Sequence, residues 1–239
     1  MKIDLFIPCF IDQFYPQTAF NVIKVLKKAG LTVAYNPNQT CCGQVAFKSG
    51  NIEGAKKLGE KFLNDFSGNS PIVGPTASCV AYVKNHFQEL FYNTSNHLRF
   101  KKLIPNIFEF SEFLVHQIRF TDFEADFPHK VTYHDSCSNL QGLGLSKEAR
   151  QLLKNVKNLE LIEMQKTDLC CGFGGIFSLK NEPISIALTQ RKVENALETG
   201  AEYIVSTDLS CLMGIESYIR KNELPIKVIH LADVLASGW

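Results

Sequence analysis

The chain carries one cysteine pattern twice. Cys9, Cys41, Cys42 and Cys79 run as C-x31-CCG-x35-C, and Cys137, Cys170, Cys171 and Cys211 run as C-x32-CCG-x38-C. A single cysteine, an adjacent pair followed by glycine, and a further single cysteine recur in one order, with gaps that differ by one and three residues. All eight cysteines of the chain belong to this pattern. An internal duplication of this kind calls for a fold built of two similar units before any other reading.

The segments between the cysteines repeat as well. "IDLFIPC" and "KVTYHDSC" are short apolar or alternating runs ending at a cysteine, as buried strands do. Each is followed by a helical pattern, "QTAFNVIKVLKKAG" with a glycine at its end and "KEARQLLKNVKN", and then by the strand candidates "LTVAYN" and "LELIEM". After each CCG comes an amphipathic stretch, "NIEGAKKLGEKFLNDF" or "PISIALTQRKVENALETG", and a third strand that again reaches a cysteine, "SPIVGPTASC" or "AEYIVSTDLSC". Strands alternating with helices predict βαβ units and parallel sheets. The expected fold is therefore α/β: two pseudo-two-fold related, Rossmann-like domains over residues 1–97 and 129–239, with the cysteines at the C-terminal ends of the strands. "LIPNIFEFSEFLVHQIRF" is expected to form a connecting helix within residues 98–128, and "TDFEADFPHK" a linker.

Composition removes several classes of function. Lys and Arg number 25 against 24 Asp and Glu, so no global field draws the chain to nucleic acid or an anionic membrane. No apolar run approaches the roughly 20 residues of a membrane helix, and "MKIDLF" lacks the apolar core of a secretory signal. A cytoplasmic location is expected. There, cysteine clusters more often bind metal or do chemistry than form structural disulfides.

In a parallel α/β sheet the loops beyond the carboxyl ends of the strands gather binding groups where helices begin. Four thiols per half then meet at one edge, suiting two metal sites or one shared cleft. Helix N-termini lower thiol pKa values and favour anionic, thiolate-ligated centres. Gly172, Gly174 and Gly175 in "CCGFGG" make a tight, small-walled loop that can wrap a bulky group. Four thiolates suit zinc or iron–sulfur. Zinc sites usually show close C-x2-4-C pairs, which neither half has, whereas adjacent cysteines can reach different irons of one cluster. Buried structural thiols and a thiol–disulfide relay are the other readings, although the C-x-x-C typical of relays is absent.

The layout resembles the cysteine-rich CCG domain family, which includes the cysteine-rich component of heterodisulfide reductase and the iron–sulfur subunit of glycolate oxidase. "YHDSC", "LLKNV", "DLCCGFGGIFS", "DLSCL" and "HLADVL" are similar to its free-standing, two-domain lactate-utilisation branch. That resemblance implies an iron–sulfur electron-transfer subunit of an L-lactate oxidising system, working with a LutB-like ferredoxin-type protein and a LutC-like protein on a small 2-hydroxy acid. It implies one or two 4Fe–4S clusters, cubane or non-cubane, held by Cys9, Cys41, Cys42 and Cys79 and by Cys137, Cys170, Cys171 and Cys211. A heterodisulfide-type oxidoreductase and a zinc-stabilised scaffold are the competing readings. The family pattern ends in C-x-x-C, but Tyr82 and Gly214 stand where a fifth cysteine would be. Polar groups gather near the second set, so His134 is expected to donate or accept a proton there and Lys180 to attract a substrate carboxylate.

Overall fold

The computed structural model describes all residues, 1–239. The first half runs β1 (Lys2–Leu5), α1 (Cys9–Phe14), α2 (Pro16–Lys28), β2 (Thr32–Tyr35), α3 (Gln44–Lys48), α4 (Ile52–Asp65), β3 (Ile72–Gly74), α5 (Ala77–Phe91), α6 (His97–Leu103), β4 (Ile107–Glu109) and α7 (Phe110–Glu112). The second runs β5 (Lys130–Tyr133), α8 (Glu148–Leu153), β6 (Glu160–Leu161), α9 (Ile176–Lys180), α10 (Glu182–Leu197), β7 (Tyr203–Ser206), α11 (Leu209–Lys221), β8 (Lys227–His230) and α12 (Leu231–Leu235). Each half folds into a four-stranded, all-parallel sheet, with orders β2-β1-β3-β4 and β6-β5-β7-β8. The α/β duplication is present, with the same strand order in both sheets. No helix is long and apolar enough to cross a membrane.

Alternation along β1 explains how the halves join. Ile3 and Leu5 point to one face of the first sheet and enter an interior of 38 buried residues that also contains Val131, Leu152, Leu212 and Leu231 of the second half. Phe6 points to the other face, into a separate aromatic core with Phe62, Phe66, Phe87 and Phe91. One face of the first sheet is therefore packed through to the second half, so the two halves share an interior. Side chains of α2 reinforce this contact, because Thr18 and Asn21 donate to Asp233 of α12 at 2.9 Å each.

The stretch expected to be one connecting helix is divided. The helix α6 stops at Leu103, a 3-10 turn covers Ile104–Asn106, and Ile107–Glu109 then pairs with Ile72–Gly74 as the outer strand β4. Pro105, which lacks a backbone donor and clashes with a preceding helical turn, accounts for the break. The helical spacing of Ile104, Ile107, Phe108, Leu114 and Ile118 spans this strand by coincidence. Helix resumes at Phe110, capped by the Glu109 carboxylate, and runs into a π-helical turn over Phe113–Gln117.

Candidate metal centre

The eight cysteines reach one place by two equivalent routes. Cys9 opens α1, while Cys79 and Cys211 are the third residues of α5 and α11. Cys137 immediately precedes a π-helical turn over Ser138–Leu143. The two CCG loops lie between β2 and α3 and between β6 and α9. All eight thiols line a single cleft of ≈ 80 Å³ between the halves. Phe10 and Phe173 meet across it edge to face, with ring centroids 5.9 Å apart.

Glycine after each pair has a definite task. Gly43 and Gly172 adopt left-handed conformations, φ 97° and 82°, and their N–H groups donate to Cys41 Sγ and Cys170 Sγ, both at 3.4 Å. A Cβ on Gly172 would fall 2.4 Å from the Ser185 carbonyl oxygen, so backbone and helix α10 approach more closely there than any side chain allows. Gly174 and Gly175 form part of the cleft wall.

Within each half neighbouring thiols shift one another's pKa. In the first set Cys42 and Cys9 hydrogen-bond to Cys41, holding it down at about 3, with help from the Gly43 N–H. The donors move the other way. Cys9 is pushed up by its bond to Cys41 and by burial, and Cys42 by its bonds to Cys41 and Cys79 and by burial. In the second set Cys171 Sγ lies 2.9 Å from Cys211 Sγ, and Cys170 is pushed up by its bond to Cys171 and by burial. A hydrogen bond from Cys170 favours the Cys171 thiolate, but its own bond to Cys211 and burial leave it raised; the bond from Cys171 favours the Cys211 thiolate, but burial and the Asp208 charge leave that one raised. Burial also raises Cys137, which Lys48 partly offsets. No disulfide forms among the eight.

The surroundings of the second set are polar. His134 is 1% exposed, neither ring nitrogen has a hydrogen-bond partner, and its ligand atom lies within 4.8 Å of Cys171 Sγ and Cys211 Sγ. Burial, and then the charge of Lys192, push its imidazole well below the usual range, so it is neutral. Lys192, fully buried on α10, donates to the Thr167 carbonyl at 2.7 Å, and burial brings it down to about 8. Asp135 is clamped by Arg150 through two bonds of 2.8 and 2.7 Å.

Asp208 ties the two sets together. Its carboxylate caps α11 through Ser210 N–H at 3.2 Å and also accepts from Ser78 N–H at 3.0 Å and Ser78 Oγ–H at 3.1 Å, across the interface. One buried side chain therefore aligns the N-termini that carry Cys79 and Cys211. The Asp in "TDLSC" is a readable N-cap signal, but its second set of bonds, to the other half, has no local signature. Sequence reasoning also passed over Lys192, which sits in the polar run "TQRKVEN" and shows its burial only in the fold.

Lys180 ends α9 exposed to solvent and is not among the cleft-lining residues; the lysine that lines the cleft is Lys48. His134 does not line the cleft either; it is buried behind it, with a ring nitrogen within 4.8 Å of Cys171 Sγ and Cys211 Sγ. At the two positions where the family has a further cysteine, Tyr82 keeps a buried hydroxyl without a partner, and a Cβ on Gly214 would meet Phe173 Cβ at 3.1 Å. The donor set fits a metal or iron–sulfur group: soft thiols converging in each half, glycines at the close approaches, and a buried imidazole with both nitrogens unbonded.

The family model described as "Cysteine-rich domain", CCG, matches residues 3–84 and 131–216. "Lactate utilization protein A" of Halalkalibacterium halodurans is 37% identical over 235 residues, covering 98% of this chain and 96% of that protein. The protein of the same name from Geobacillus thermodenitrificans is 36% identical, with 98% of each chain covered. "Lactate utilization protein A 2" of Bacillus cereus is 33% identical over 100% of this chain and 99% of its own. Among solved structures, a hypothetical protein from Helicobacter pylori superposes with a TM-score of 0.62 at 11% identity, over 100% of this chain. The chain spans about half of that structure's length, 49%, and the likeness is one of fold.

Proposed function

Because the chain belongs to the cysteine-rich CCG domain family, and within it to the lactate utilization protein A group, we propose that it serves lactate utilisation as an iron–sulfur electron-transfer subunit. The single observation that carries this reading is the meeting of both cysteine sets in one cleft. Cys9, Cys41, Cys42 and Cys79 would hold one centre, and Cys137, Cys170, Cys171 and Cys211 the other. Such a group supplies one-electron redox chemistry when bound.

The chain's own residues prepare the site for it. The N–H groups of Gly43 and Gly172 donate to Cys41 and Cys170 sulfur and favour their thiolates. Phe10 and Phe173 cover the thiols with apolar surface and limit water. Lys48 puts a cation at the cleft, where a 2-hydroxy acid carboxylate or an acidic surface of a partner would be drawn. On this reading the protein works in the cytoplasm, where thiols stay reduced, with a LutB-like ferredoxin-type protein and a LutC-like protein of the same system.

Anaerobic purification followed by iron and acid-labile sulfide analysis and a visible spectrum tests the centre. Brown protein with matching iron and sulfide, whose colour bleaches on adding lactate with the partner proteins, is the expected result. Colourless protein holding zinc alone would sink the electron-transfer reading. Reduction of a small disulfide with indifference to lactate would instead make it a heterodisulfide-type subunit.

A further inference from the structure

His134 and Phe6 occupy the same place in the two halves. Each is the first residue after the opening strand of its sheet, three residues before the first cysteine of its set. Each donates its backbone N–H to the middle of the third strand, Phe6 to Val73 O at 3.0 Å and His134 to Val205 O at 2.8 Å. Their side chains then part company. Phe6 packs edge-on against Phe62 and Phe66, at centroid distances of 5.0 and 5.8 Å. His134 is as deeply buried, yet neither of its nitrogens is bonded, and it lies within 4.8 Å of Cys171 and Cys211.

A buried polar group without a partner costs about 1–3 kcal/mol. The first half shows that an apolar ring fits this backbone position without that cost. The other buried histidine has its needs met, since His230 Nε2 bonds the Pro75 carbonyl at 2.9 Å and Nδ1 accepts from Ala232 N–H at 3.1 Å. His86, His116 and His129 are paired with Glu89, Glu148 and Glu202, and His97, whose Nδ1 is also buried without a partner, packs against Tyr92 and Phe100 and not against thiols. An unbonded imidazole nitrogen aimed among soft thiols is a metal ligand by chemistry.

We propose that His134 is a direct nitrogen ligand of the metal centre held by the second cysteine set, beside Cys171 and Cys211, and that the first set has none. The inference rests on the reading that the cysteines hold a metal centre. It makes the two centres chemically unequal: the first purely thiolate, the second mixed. An imidazole ligand is neutral where a thiolate at the same position would be anionic, so His134 holds the second centre at a higher reduction potential than a cysteine there would.

The test uses the full chain labelled with nitrogen-15 histidine, loaded anaerobically with iron and sulfide, reduced, and measured by pulsed EPR. A strongly coupled imidazole nitrogen is expected in the native protein. Its loss is expected in His134→Phe, which repeats what the first half carries, and its retention in the control His97→Phe. His134→Cys should keep full iron content, lack the nitrogen coupling and shift the potential of that centre downward. A parallel cobalt(II) titration, read by shifted imidazole proton resonances, makes the same comparison for a single metal ion. Metal-loaded protein without a bound imidazole, or a coupling that survives in His134→Phe, overturns the proposal alone. A native chain that takes up neither iron and sulfide nor cobalt overturns the proposed function, and this inference with it.

Discussion

Cys42 and Cys79 pack with Phe6, Phe62, Tyr82 and Phe87, whereas Cys171 and Cys211 lie beside His134, Lys192 and Asp208. Strand order, thiol order and the glycine N–H to sulfur bonds are alike in the two halves. What differs is the material around the sulfur. Duplication has kept the backbone that places the thiols and changed the side chains that set their electrostatics. Low polarity around one thiol set and buried polar groups around the other would give metal centres held there unequal potentials from equal ligand spacing.

The largest effect should come from removing one thiol of each set. Cys171→Ser is expected to remove the second centre and leave the first, and Cys42→Ser the reverse, with iron analysis and difference spectra of the two variants adding up to the native spectrum. Identical spectra from both would show one shared centre and dissolve the comparison. Next is the clamp. Asp208→Ala strips the cap from α11 and leaves the buried Ser78 N–H unpaired, at an expected cost of about 4 kcal/mol in urea unfolding. Thr76, its counterpart at the start of α5, has a hydroxyl without a partner, so Thr76→Ala should lose only its buried methyl contact, about 1 kcal/mol.

Two buried charges give the halves opposite responses to pH. Burial raises Glu109, on β4 of the first half, from 4.5 to about 7. The folded chain then holds more protons than the unfolded one across that window, so this group's stabilisation is full below pH 4.5 and is lost as pH rises through 7. Lys192, in the second half, falls from 10.5 to about 8, so the unfolded chain holds more protons between those values and stability rises with pH there. Each window spans on the order of 3 kcal/mol. Glu109→Gln should flatten the first and Lys192→Met the second in unfolding measured from pH 4 to 10. Unchanged profiles would show that burial does not govern the titration of either group.

The smallest contrast is between the glycines. Gly172→Ala meets both a left-handed φ and the Ser185 carbonyl at 2.4 Å, and is expected to cost about 2 kcal/mol or more. Gly43→Ala shares the conformation, but its nearest neighbours are at 3.3 Å, and about 1 kcal/mol should suffice. Equal losses would mean that strain alone, and not the close approach of α10, sets the requirement for glycine.

Much of this architecture could be read before the fold was known, for local reasons. Hydrophobic runs ending at Cys9 and Cys137, amphipathic segments after each CCG, and a repeated spacing are short-range signals, and they place every thiol beyond a strand. The outer strand β4 escaped because three residues flanked by helix carry too little periodicity to compete with the apolar spacing around them. Lys180, expected to attract a substrate carboxylate because it stands near the second pair in sequence, ends α9 exposed to solvent. Lys48, from the other half, lines the cleft instead.

The sequence by itself determined that there are two like units, that each sends four thiols to the carboxyl edge of a parallel sheet, and that glycine must follow each pair. These follow from strand and helix periodicity and from backbone sterics, which act over a few residues. Only the tertiary structure decided that the two edges face each other across one cleft, that Asp208 joins the halves, and that His134 is buried without a partner while Phe6, its counterpart, lies in an aromatic core. Those outcomes depend on contacts between residues more than a hundred positions apart, such as Ser78 with Asp208, which no local pattern encodes.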